Sequence, residues 1–255
     1  AYSLLGDPAD RQRYRIAVRL QDESRGGSRF MHEQVKAGDR LQLSPPANLF
    51  APSSQARHHL LLAGGIGITP FLSYIPELQG RDASFSLHYA FRGGLTDAYL
   101  DSLQASLGAQ LHSYDAEAGC FLDLAALLGD QPLGSHVYVC GPQGLIAAVR
   151  EQAAQLGWPA SRVHWEVFAA PEPGQPFVVQ LARSGRAEFD DVGNVNFLAR
   201  DAHRLEDVIG WRQVVQTGEV GILGEQHRVA GFEEQIDRAD TQQIILPPLD
   251  RQLAE

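Results

Sequence analysis

Leu60-Leu61-Leu62-Ala63-Gly64-Gly65-Ile66-Gly67-Ile68-Thr69-Pro70 decides how this chain is read. Four apolar residues make a buried strand, and the glycines after them make a tight turn that leads into a helix start. Such a junction points several backbone N–H groups into one small space, where a pyrophosphate can replace water. Gly64, Gly65 and Gly67 give the turn dihedral freedom and keep side chains out of a phosphate's path. Thr69 offers either a cap for the following helix or a donor to a phosphate oxygen. A bare strand-to-helix turn remains the alternative, because the glycine spacing departs from the common dinucleotide fingerprint. Val137-Tyr138-Val139-Cys140-Gly141-Pro142 repeats the pattern of apolar strand and abrupt glycine turn. Two such edges at one end of a parallel sheet point to a nucleotide site.

Working outward, the chain alternates strand and helix patterns from His59 to Ala169, which predicts an open parallel α/β sheet. The strands are expected at His59 to Ala63, Ser84 to Ala90, Gln110 to Tyr114, His136 to Cys140 and Arg162 to Val167. Helices are expected at Thr69 to Gln79, Ala98 to Leu107, Asp123 to Leu128 and Gly144 to Leu156, with Pro76 bending or shortening the first. Upstream, Arg13 to Leu20 and Asp39 to Leu43 read as short strands. They flank a glycine turn and short helix from Arg25 to Gln34, which Ser28 is placed to cap. Pro45-Pro46, Pro52 and Ser53-Ser54 read as a linker. Ala170 to Pro176, rich in proline, is a second one. Beyond it, Phe177 to Leu181 and Arg186 to Phe189 suggest a hairpin. The runs Val214-Val215, Val220 to Leu223 and Ile244 to Leu246 complete a small mixed α+β unit. The expected domains are 1–52, 57–170 and 177–255. Tyr2-Ser3-Leu4-Leu5 reads as a strand joined halfway, so the chain is expected to begin inside a domain.

The composition narrows the function classes. With 255 residues, 44% of them hydrophobic and 20% charged, the chain is long enough for one large or two to three small domains, each able to bury a core. A formal charge of -10 argues against nucleic acid or an anionic membrane as partner and permits docking onto a basic protein patch. No apolar run is long enough to span a bilayer. Cys120 and Cys140 are the only cysteines, too few for a disulfide scaffold or an all-cysteine metal site, and a reducing cytoplasm is the natural inference. His58 and His59 point to opposite sides of an extended chain and make a poor metal pair, so no metal site is expected.

Arg25, Gly26, Gly27, Ser28 and Arg29 form a compact set of anion donors at a helix start, suited to a phosphate monoester; a solvated basic turn is the alternative. Cys140, at a strand end, is either a core thiol or a wall against a flat ring. The lack of a nearby base in sequence weighs against covalent thiol chemistry.

Taken together, these motifs resemble the phthalate dioxygenase reductase group of the ferredoxin-reductase superfamily. Ala1-Tyr2-Ser3-Leu4 resembles the end of that family's arginine-x-tyrosine-serine flavin motif, without its arginine or the first half of the flavin barrel. Arg25-Gly26-Gly27-Ser28 is similar to the segment that holds the FMN phosphate. Gly64 to Pro70 resembles the nicotinamide-nucleotide loop, Tyr89-Ala90-Phe91-Arg92 the next strand end, and Val139-Cys140-Gly141-Pro142 the nicotinamide-side loop. Glu166-Val167-Phe168 resembles the stretch whose aromatic residue packs on the flavin. The resemblance therefore implies three domains: a partial flavin-binding β-barrel, an open parallel α/β nucleotide-binding domain and a small α+β ferredoxin-like (β-grasp) domain.

It also implies an NADH-dependent FMN reductase component. Cys140 and Phe168 would stand at the reacting rings. Tyr2, Ser3 and Arg25 to Arg29 would hold the flavin; Gly64, Gly65, Gly67, Thr69, Pro70, Arg92, Gly141 and Pro142 would hold the nucleotide. The C-terminal unit departs from the family. Trp211 to Glu225 looks like the cluster loop with no cysteine in it. Trp211 and Gln216 stand at the first two ligand places, the third falls near Gly218, and Thr241 to Pro247 lacks the fourth. No iron–sulfur cluster is expected, and electrons would leave to a separate ferredoxin or oxygenase component. The competing expectation is a non-catalytic, cluster-free subunit that stabilises an oxygenase or demethylase complex.

Overall fold

Leucines at 60, 61 and 62 are all fully buried, so both faces of this strand are covered, as expected of the centre of a parallel sheet. The structure is a computed structural model. It describes residues 2–10, 13–21, 26–43 and 46–168, together with the backbone of strand segments at 177–180, 187–190, 226–228 and 241–246. The central strand is β3 (His58–Gly64), preceded by β1 (Tyr14–Arg19), α1 (Gly27–Glu33) and β2 (Arg40–Gln42). After it come α2 (Phe71–Gly80), β4 (Phe85–Phe91), α3 (Leu100–Leu107), β5 (Leu111–Asp115), α4 (Leu124–Gly129), β6 (Ser135–Cys140), α5 (Gln143–Gln155) and β7 (Val163–Glu166). β3 to β7 form one parallel sheet in the order β5-β4-β3-β6-β7. Both the predicted strands and the predicted helices of this region are present, each within about two residues of its expected limits.

Alternation along the strands divides the core in two. Leu61, Ala63, Leu87, Tyr89, Tyr138 and Cys140 face a layer containing Phe71, Tyr74 and Leu78 of α2 and Leu103 and Leu107 of α3. Leu60, Leu62, Val137, Val139 and Val163 face Leu128 of α4 and Ile146, Val149 and Ala153 of α5. Each fully buried leucine contributes about 2 kcal/mol relative to exposure. α2 continues through Pro76, and its N-cap is Pro70, so Thr69 does not cap it. α1 starts from Gly26 in the left-handed region at φ 108; Ser28 lies inside the helix and accepts from Gln21 N at 3.3 Å, so it is not the cap.

The amino ends of the strands are rich in histidine. On the α2 side, His136 and His164 share a hydrogen bond of 3.0 Å between Nδ1 and Nε2, and Tyr138 stacks on His164 at 4.6 Å. His59 stacks on the other side of Tyr138 at 5.6 Å. On the opposite face His88 stacks on His112 at 4.5 Å and shares a 2.9 Å hydrogen bond with the Tyr114 hydroxyl. Burial lowers the pKa of His59 and His88 to about 4 each.

The remaining strands are β8 (Phe177–Gln180), β9 (Ala187–Asp190), β10 (Gln226–Arg228) and β11 (Thr241–Leu246). β8 and β9 pair antiparallel, the predicted hairpin. β11, expected inside the C-terminal unit, pairs instead with β1 over six residues, Tyr14 opposite Leu246 and Arg19 opposite Thr241. By contact density, residues 1–40, 48–168 and 228–255 form one unit, and 41–47 with 169–227 another. No closed barrel occurs among the described residues. The cysteine-free loop at 211–225 lies outside them.

Candidate functional site

The order β5-β4-β3-β6-β7 reverses direction between β3 and β6, because successive crossovers run outward on either side of β3. Ligands of open parallel sheets bind at the carboxyl ends of strands flanking such a reversal. Here those ends are Gly64 and Cys140, with Ala63 opposite Cys140 in the register.

The glycines at this point serve contact between loops. A Cβ placed on Gly67 would stand 2.6 Å from Gly141 N and closer still to the Cys140 carbonyl. One on Gly64 would stand 2.7 Å from Pro142 Cδ, and one on Gly141, at φ +155, would stand 2.9 Å from Gly64 Cα. The clearance expected for a phosphate is thus occupied at Gly64 and Gly67 by the loop after β6. Gly65, at φ +51, faces Thr96, whose Cβ would lie 3.4 Å from an added methyl. Thr96 Oγ1 accepts from Arg92 N at 2.8 Å, and the buried Tyr89 hydroxyl donates to the Thr96 carbonyl at 2.9 Å. These bonds fix the β4 loop on its own strand and hold Thr96 beside Gly65. From β5, Asp115 Oδ1 accepts from Gly93 N and Glu117 N, each at 2.9 Å. Arg92, Thr96 and Asp115 therefore stand on neighbouring strand ends, with the Arg92 side chain exposed.

Thr69 is buried, and its hydroxyl donates to the Ile66 carbonyl at 3.0 Å, with Ser3 Oγ at 3.4 Å. Tyr2 is exposed, and its hydroxyl lies 3.7 Å from where a Cβ on Gly27 would be. Residues 2 and 3 thus lie near both predicted cofactor stretches, Tyr2 beside Gly27 and Ser3 in contact with Thr69. Arg29 is exposed and pairs with Glu33 at 3.8 Å. Arg25 lies outside the described residues.

Cys140 has no exposed surface and belongs to the core on the α2 side. Burial, reinforced by the carboxylate of Glu166, pushes its thiol well above the usual range, so it is a neutral thiol and no nucleophile. Phe168, 36% exposed, and Val167 follow β7 at the sheet edge. Glu166, opposite Cys140 in the register, escaped the reading of individual site residues. Its Oε2 is buried without a hydrogen-bond partner among the described residues, as is the Tyr74 hydroxyl, and burial raises the carboxyl's pKa. An acid in the last turn of an edge strand gives no sequence signal of its own; only its register with Cys140 marks it. Likewise, Thr96 sits in ordinary loop sequence, and Asp115 ends β5 with no motif of its own. No group of three or more His, Cys, Asp or Glu side chains suited to a metal ion occurs among the described residues.

The described features fit a dinucleotide: a strand-end reversal and a 3-10 turn at Gly65–Ile68 whose first amides lack intrahelical partners.

Residues 40–163 match the family described as dimethylamine monooxygenase subunit DmmA-like, N-terminal domain. The chain is 60% identical over 186 residues to a heme-dependent oxidative N-demethylase beta subunit of Ectopseudomonas mendocina (strain ymp), covering 73% of this chain and 60% of that protein. It is 51% identical over 188 residues to a carnitine monooxygenase reductase subunit of Escherichia coli (strain K12), covering 73% and 59%. Among solved structures, phthalate dioxygenase reductase superposes with a TM-score of 0.62 at 33% identity, covering 76% of this chain and 62% of the other. The chain therefore spans about three fifths of the length of the curated relatives it matches.

Proposed function

We propose, for a chain homologous to phthalate dioxygenase reductase and to related reductase subunits, that it accepts hydride from NADH onto a bound flavin and passes the electrons to a separate acceptor protein. One observation supports the reading: Tyr2 and Ser3, adjacent in the chain, stand beside Gly27 of the turn at 26–29 and in contact with Thr69 of the glycine loop respectively. A flavin and a nicotinamide must lie side by side for hydride transfer, and this contact brings their predicted binding stretches together.

The amides of the Gly65-Ile66-Gly67 turn would bind the pyrophosphate, with Arg92 adding a charge-assisted contact. Gly64, Gly67 and Gly141 let the two strand ends close on each other and so fix where that pyrophosphate sits. Asp115 supports NADH over NADPH, because a carboxylate at this strand end accepts from a ribose hydroxyl and repels a 2′-phosphate. Ser28 and Arg29, with Arg25 next to them in sequence, suit the terminal phosphate of FMN better than FAD. Phe168 offers an exposed ring for the flavin face, while Cys140, without exposed surface, lies in the core beneath the strand end as an uncharged group. The flavin, when bound, supplies the change from two-electron to one-electron chemistry. Since the chain holds only Cys120 and Cys140, the acceptor is external: by likeness to the relatives, an oxygenase or demethylase component or a ferredoxin.

The test is the visible spectrum of the purified protein before and after anaerobic NADH, with the flavin released and identified. A flavin spectrum bleached by NADH, FMN on release and no stoichiometric iron are expected. A colourless protein that takes up neither flavin nor NADH refutes the reading and favours the non-catalytic subunit.

A further inference from the structure

The stretch at 46–57 leads from the flavin-side to the nucleotide-side sequence, with residues 48–57 in the same unit as both 1–40 and 58–168, and its prolines and serines mark it as a connector. A connector needs only reach. This one contains a single fully buried side chain, Phe50, whose neighbours at 46–49 and 51 are exposed. The Phe50 ring sits among three aromatic rings, with centroids 5.6 Å from Tyr74, 6.1 Å from Tyr138 and 6.2 Å from Phe71. Three residues on, Ser53 N donates to the Tyr138 hydroxyl at 2.8 Å, an 85-residue separation in sequence. Asn48 Oδ1 and Ser53 Oγ accept from the amides of Phe50 and Gln55 and hold the connector's own turns.

The rings that receive Phe50 are those beneath the site. Phe71 follows the glycine loop by two residues after Thr69, and Tyr138 precedes Cys140 by two residues on the same face of β6. We infer that Phe50, with the Ser53–Tyr138 hydrogen bond, is a wedge that sets the orientation of the flavin-side sequence against the two nucleotide loops. This makes Phe50 and Tyr138 positioning residues for hydride transfer. The inference rests on the reductase reading above. Hydride transfer needs its reacting atoms about 3–3.5 Å apart, and a 1 Å misplacement costs on the order of 100-fold in rate. A slack connector would leave both cofactors bound and the distance between them uncontrolled.

The test compares the full-length, flavin-loaded protein with Phe50→Ala, Phe50→Leu and Tyr138→Phe in anaerobic stopped-flow reduction by NADH. The hydride-transfer rate at saturating NADH should fall at least tenfold in Phe50→Ala and about threefold in Tyr138→Phe, and recover most of the loss in Phe50→Leu. Flavin content and NADH Kd should stay within twofold. A second readout uses the protein without added nucleotide: hydrogen exchange of the amides at 50–55 should quicken at least tenfold in Tyr138→Phe. Should Phe50→Ala fail to fold, Tyr138→Phe decides the matter alone. A wild-type rate in the variants, or slowed reduction accompanied by matching flavin loss and unchanged exchange, overturns the wedge. If wild-type protein is not bleached by NADH, the reductase reading fails and the wedge falls with it.

Discussion

Replacing Gly67 by alanine tests the loop knot directly. The three atoms nearest the added methyl all belong to the backbone of Cys140 and Gly141, the Gly141 nitrogen at 2.6 Å and the other two closer. Side chains can rotate away from an intruding methyl, but the end of a fully buried strand cannot. Overpacking of this kind costs about 3 kcal/mol. For a unit of this size that corresponds to a fall of roughly 6–12 °C in melting temperature. The alternative response is separation of the β3 and β6 loops, which should abolish NADH binding while sparing part of the stability. Gly144→Ala, in α5 with no atom within 4 Å of the new methyl, is the control and should be neutral or up to about 1 kcal/mol stabilising. Thermal melts and NADH titration of both variants suffice. Gly67→Ala melting within 2 °C of wild type (a margin of about 1 kcal/mol) and binding NADH unchanged would refute the close approach.

Acid should weaken the fold through its histidines. His59 and His88 are held at about 4 against an ordinary 6.5, so the folded state prefers them neutral. The stability they contribute is fully present above about pH 6.5 and is lost as pH falls toward 4, about 2 kcal/mol per group by pH 5. Urea melts at pH 7.5 and 5.0 measure it, His88→Asn should halve the difference, and a flat profile would contradict it. Asp115→Asn removes the charge at the β5 end while keeping an acceptor for Gly93. The ratio of NADPH to NADH efficiency should rise at least tenfold, and an unchanged ratio would remove Asp115 from nucleotide selection.

The parallel sheet was legible because its strands are continuous apolar runs punctuated by glycine, a signal carried within seven or eight residues. The candidate site was legible only as separate loops. What binds them, Gly67 against Cys140 and Gly93 against Asp115, joins residues far apart in sequence whose contact exists only after the strands are ordered. Local chemistry also misled in small ways. Thr69 and Ser28 both look like helix caps, yet Thr69 turns its hydroxyl back to Ile66 and Ser28 sits two residues past the cap, Gly26. Ile244 to Leu246 reads as an apolar strand of its neighbourhood, whereas its backbone partner is β1.

That last pairing bears on how the molecule comes to exist. β1 holds Ile16, Ala17 and Val18 buried, but the strand opposite them is made more than 200 residues later. At about 5–20 residues per second of synthesis, β1 waits on the order of ten seconds or more for its mate. The sheet of β3 to β7 is complete before then and can fold first. During that interval the edge of β1 is open to other chains, so recovery of soluble protein should respond to chaperone supply and to growth temperature more steeply than the finished protein's melting point would suggest.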